Sequence, residues 1–104
     1  MIAERVQLGN ITYPCVFKDS DAEVYLEDHV IGIMLHCYVH NWNLGVYKKL
    51  LDTLTDIMSC TDELFAHSNN DRLTKFASMF GFESIDDTYD REGNKTGELL
   101  CLTL

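Results

Sequence analysis

Val30-Ile31-Gly32-Ile33-Met34-Leu35-His36-Cys37-Tyr38-Val39-His40, followed by Asn41-Trp42-Asn43, is the stretch that decides the fold. Its odd positions, Ile31, Ile33, Leu35, Cys37 and Val39, are all apolar, so a strand here turns one face wholly into a core. The even positions start apolar at Val30 and Met34 and end polar at His36, Tyr38 and His40. A strand apolar on both faces belongs in the middle of a sheet with material packed on each side. The polar end of its second face is where a cleft can open.

Asn41-Trp42-Asn43 breaks the strand and caps a helix. Over Leu44–Ser59, residues Tyr47, Leu50, Leu51, Leu54, Ile57 and Met58 keep helical spacing, with Lys48, Lys49, Asp52 and Asp56 opposite. Residues 62–67 read as a strand. A second helix is capped by Asn69 or Asn70, carries Leu73, Phe76, Ala77 and Phe80 on one stripe, and stops at Gly81 as a left-handed cap. Phe82–Tyr89 and Glu98–Leu104 are the last strands, joined by the Asp90–Lys95 turn. Upstream, residues 5–17 form two short strands around Gly9-Asn10, and Ala22–Glu27 forms a third. Pro14 assigns its strand to an edge or a bulge.

The order is β-β-β-β-α-β-α-β-β in a single α+β domain over residues 1–104. A strand–helix–strand run through 30–67 requires a parallel pair with a crossover. The final two strands read as an antiparallel hairpin. The expected architecture is a twisted, mixed, mostly antiparallel sheet with helices laid on it.

Composition narrows the function classes. The 104 residues hold 17 acidic and 8 basic side chains, net −9. A nucleic-acid binder displaces phosphate counterions with a basic face, and Lys48-Lys49 is the only adjacent basic pair. Direct nucleic-acid binding is not expected. Acidity suits solubility, or imitation of nucleic acid on a basic partner. The start of the chain has no signal-peptide pattern, and Val30–Leu35, the longest uncharged apolar run, is too short to span a bilayer. Cys15, Cys37, Cys60 and Cys101 form no C-x-x-C pair and sit among apolar neighbours, as reduced thiols of the cytoplasm do.

The element order, with the run Asn69-Asn70-Asp71-Arg72-Leu73-Thr74-Lys75-Phe76-Ala77-Ser78-Met79-Phe80-Gly81-Phe82, resembles the GNAT superfamily of acetyl-CoA-dependent N-acyltransferases. The likeness is best over residues 22–104, with residues 1–21 as an N-terminal hairpin. It extends to small divergent GNAT-like proteins of tailed phages. The resemblance implies that acetyl-CoA lies at the start of the first helix. There, backbone amides of a Gln/Arg-x-x-Gly-x-Gly/Ala loop cradle its pyrophosphate. Aligning Leu50-Leu51 to the family helix sets that loop at Trp42-Asn43-Leu44-Gly45-Val46-Tyr47. The cofactor contacts it implies are Leu44, Gly45, Val46, Tyr47 and Asn70.

This sequence departs from the pattern in three places. Trp42 stands at the Gln/Arg position and Tyr47 at the last small one. Ala77 stands where many family members carry a Tyr that protonates the departing thiolate. Tyr25, Tyr38 or Tyr89 can replace it only from another element. The candidate general bases are His36 and His40, whose type titrates near neutrality. A shared metal is not expected, because the two histidines lie about 13 Å apart along an extended strand. Trp42, in a polar loop at the cleft mouth, is a candidate partner anchor.

Three functions follow. The first is a catalytically degenerate GNAT fold that binds a protein, a virion component or host protein if the gene is a phage's. The second is an N-acetyltransferase acting on a basic amine. The third is an acidic inhibitor that imitates nucleic acid.

Overall fold

In the computed structural model, residues 4–8 and 11–103 are described, with side chains described from Pro14 to Thr103. The expected Gly9-Asn10 turn and the inward pattern of Ile11 and Tyr13 lie outside the described residues and side chains. The fold is α+β. Its strands are β1 (Glu4–Leu8), β2 (Ile11–Lys18), β3 (Ala22–His29), β4 (Gly32–Val39), β5 (Glu63–Ser68), β6 (Glu83–Tyr89) and β7 (Lys95–Thr103). Helix α1 (Leu44–Met58) joins β4 to β5, and α2 (Asp71–Ser78) joins β5 to β6. The described strands make one mixed sheet in the order β1-β2-β3-β4-β5-β7-β6. β4 and β5 are parallel, whereas every other neighbouring pair is antiparallel.

β4 sits mid-sheet, and its two faces divide as the alternation predicts. Ile33, Leu35, Cys37 and Val39 pack against the main core, built from Ala22 and Val24 of β3, Leu64 of β5, Leu100 of β7 and the inner stripe of α1. Phe76, Ala77 and Phe80 pack against the same core. Both helices therefore cover one face of the sheet. On the other face Met34 joins Phe65 and Cys101 in a second, smaller cluster.

The start of β4 corrects the sequence reading. Val30 and Ile31 form a two-residue turn between β3 and β4, closed by the His29↔Gly32 pair. Val30 is 96% exposed. An apolar alternation continues through them by sequence, but the hairpin ends the strand at Gly32. Its φ of 143° is backbone that glycine alone adopts freely. A Cβ there would meet the Phe65 ring at 2.7 Å, so the turn and the smaller cluster share one constraint. β3 is correspondingly longer than expected, ending at His29, and β7 begins at Lys95.

The end of α2 follows the sequence signal. Gly81 has φ 97°. Its N–H donates to the Ser78 carbonyl (3.1 Å), and Phe82 N–H donates to the Ala77 carbonyl (3.3 Å), the paired bonds of a Schellman cap. The cap drops Phe82, 5% exposed, into the core.

Candidate functional site

A cleft of about 920 Å³ opens between the two helices and the sheet. The parallel pair explains its position. β4 and β5 are registered at Met34↔Phe65, and the cleft is lined by residues beyond that pair on both strands: Leu35, Cys37 and Val39, with Ala66 and Ser68. Ligand crevices of α/β sheets form at such C-terminal strand ends. Val24 and Leu100 complete the sheet side, Leu50, Thr53 and Leu54 come from α1, and Leu73, Phe76 and Ala77 come from α2. The interior is largely apolar. His40, Trp42, Asn70, Arg72 and Lys75 contribute polar groups.

Trp42, Phe76 and Phe80 line one side of the cleft, and Tyr47 backs them. Trp42 meets Phe76 edge-on at 5.4 Å and Tyr47 at 6.3 Å. Tyr47 lies against Phe80 at 5.3 Å, and Phe80 meets Phe76 at 5.3 Å. These separations suit favourable quadrupole contacts. Tyr47 is half-buried, with its ring packed against Phe80 and Trp42. Trp42 stays 48% exposed.

The loop residues are partly spent on the helix itself. Asn43 caps α1: its Oδ1 accepts from Val46 N–H at 3.0 Å, and its carbonyl accepts from Tyr47 N–H at 3.1 Å. Val46 is a core side chain, 1% exposed. Leu44 and Gly45 are exposed. A Cβ on Gly45 would lie 3.1 Å from Asn43 Oδ1, which gives this glycine a local reason. Asn70 caps α2 in the same way, accepting from Leu73 N–H at 2.9 Å. Its carbonyl accepts from Ser68 Oγ at 2.7 Å. Thr74 Oγ1 lies 2.8 Å from Ser68 Oγ and 3.0 Å from Glu98 Oε2, which ties the α2 start to β5 and β7.

The two candidate bases are not brought together in the cleft. His36 points to the face opposite the helices, where its Nε2 lies 2.9 Å from Glu27 Oε1. His40 reaches the cleft edge, but its Nε2 is engaged by Glu23 Oε2. Glu23 also accepts from the Tyr25 hydroxyl, and these two bonds hold its carboxyl below the usual range. Cys37 lines the cleft, and burial pushes its thiol up to about 11, so it stays a neutral, unreactive wall. Ala77 presents a methyl there. No Asp, Glu or Tyr is among the described residues lining the cleft.

The sequence reading missed Arg72 and Lys75. Both are exposed at the cleft, and neither side chain makes a hydrogen bond or ion pair among the described residues. Lys18, Lys49 and Lys95, by contrast, are each paired to carboxylates. The available signal was their i, i+3 spacing beside Leu73 and Phe76, which looks the same for a solvated helix face.

Comparison with protein-family models, curated proteins and solved structures returns no match. Geometry and chemistry therefore carry the functional reading.

Proposed function

We propose that the chain is a GNAT-type scaffold that has lost transferase chemistry and docks a protein partner through the Trp42 rim of its cleft. The observation that carries this reading is Trp42 itself. It is half-exposed, held edge-on by Phe76 and Tyr47, and flanked along the cleft by exposed Leu73 and Met79. A rigid, partly exposed Trp among apolar neighbours has the character of an interface anchor. The lining supports the loss of chemistry. Ala77 has no proton to give, and His36 faces away. If the gene is a phage's, the partner is a virion or host protein met in the host cytoplasm.

The test is capture from an extract of the source cell by the immobilised protein, run beside Trp42→Ala/Met79→Lys and Ile85→Lys. Ile85 is exposed on β6, away from the cleft lining. A band kept by Ile85→Lys and lost by the rim variant supports the reading. A capture pattern that the rim variant leaves unchanged overturns it.

A second reading is an acetyl-CoA-dependent N-acetyltransferase on a basic amine, with His40 as base. It is favoured by the cleft opening beyond Met34↔Phe65 with His40 and Asn70 in its lining; Leu44 and Gly45 are exposed but do not line it. Acetyl transfer to a polyamine separates the two.

A further inference from the structure

We propose that the floor of the cleft is a binding site for a single-chain aliphatic carboxylate, with the acid group held at Arg72 and Lys75. The proposal goes beyond partner docking and stands whether or not the rim binds a protein. Three observations converge on it. The cleft is about 920 Å³, within the range of ligand sites, about 300–1,000 Å³. Its wall between β4, β5 and α1 is mainly aliphatic, with Leu35, Val39, Leu50, Leu54 and Ala66, and its polar members Thr53, His67 and Ser68 carry no carboxylate.

The third observation is electrostatic. In a chain of net −9, the side chains of opposite sign at this cleft are two cations, and no carboxylate lines it among the described residues. Arg72 and Lys75 lie three residues apart on α2, and both line the cleft. Their charges are not taken up by ion pairs among the described residues. A guanidinium binds a carboxylate through two parallel hydrogen bonds, and the ammonium adds a point charge. An aliphatic tail gains from every methylene removed from water. Apolar depth with a cationic mouth selects an amphiphile of that polarity over a neutral lipid or a cation.

The position also differs from a phosphate cradle at α1. Val46 and Tyr47 amides are already engaged by Asn43. The proposed head group lies on α2 instead.

The probe is dodecanoate at concentrations where it is monomeric, titrated by calorimetry and by the emission of Trp42, the chain's one tryptophan. Saturable binding is expected, with decanoate weaker by about fifteenfold, at about fourfold for each of two methylenes. Arg72→Gln/Lys75→Gln, on exposed positions, is expected to weaken dodecanoate about fivefold. The same variant should leave dodecan-1-ol binding unchanged. Coenzyme A, which has phosphates but no long chain, should not displace dodecanoate. Absence of saturable heat and emission change overturns the proposal. So does equal binding of dodecanoate by the double variant, or displacement by coenzyme A at matched concentration. A failure here with rim-dependent capture intact leaves the docking reading standing, and the reverse result leaves this one.

Discussion

At Gly97 an added Cβ would lie 2.1 Å from the Ser68 carbonyl oxygen, and φ is 158°. The obstruction is backbone on a neighbouring strand, so no side chain can turn aside. Gly97→Ala should destabilise the fold by about 3 kcal/mol, read as a lower urea midpoint. An unchanged midpoint would mean that β5 and β7 are not held this closely. Trp42→Ala removes two edge contacts from the ring cluster and should cost about 2 kcal/mol by the same measurement, while Trp42→Phe retains most of that. Among the thiols, Cys60 is exposed, Cys15 and Cys101 are buried, and Cys37 is held protonated by burial. Native protein should therefore show one fast thiol toward a disulfide reagent, lost in Cys60→Ser, with the others reacting only on unfolding. Rapid modification of Cys37 would contradict the closed wall of the cleft. Individual residues were unevenly legible. Tyr47 lay on the apolar stripe, and its half-buried ring packs on Phe80. Arg72 and Lys75 were illegible as site residues, because helix spacing does not tell which side of a short helix overlooks a gap.

At the scale of elements, both helices begin on an asparagine cap, and each cap donates nothing to the sheet. Asn43→Ala and Asn70→Ala should each lose about 1 kcal/mol, with Asp at either position recovering most of it. Equal stability of Asn70→Ala would show that the Ser68–Asn70 carbonyl bond, not the cap, fixes α2. The helices, their caps and the Gly81 stop were readable because each is written in local chemistry: spacing, a short polar side chain, a missing Cβ. The Val30-Ile31 turn was not. Two β-branched apolar residues extend the strand pattern, and only the antiparallel partner, ending at His29↔Gly32, shows where the chain reverses. The parallel neighbour of β4 was readable from the crossover rule. The opening of the cleft beyond Met34↔Phe65 was not, since no residue type on either strand marks where a parallel pair stops.

For the whole molecule, charge sets the response to acid. The Lys49 ammonium beside Asp19, the amide bonds of Asn94 and Glu92 to Asp90, and the Tyr25 and His40 bonds to Glu23 hold these carboxyls below their ordinary values of 3.8 for Asp and 4.5 for Glu. A carboxyl depressed in the folded state contributes stability above its unfolded pKa and loses it as pH falls through the folded value. Stability should therefore hold down to about pH 4.5 and decline below it, with Asp19→Asn flattening the decline. No helix among the described residues is long and apolar enough to cross a membrane. The central proposal is that the cleft docks a partner and does not transfer acetyl groups; Ala77, a neutral Cys37 and an engaged His40 line it. The most direct test is release of free thiol from acetyl-CoA in the presence of a polyamine or a lysine-rich peptide. The account predicts release no faster than without protein; saturable release that depends on the protein and disappears in His40→Ala would contradict it.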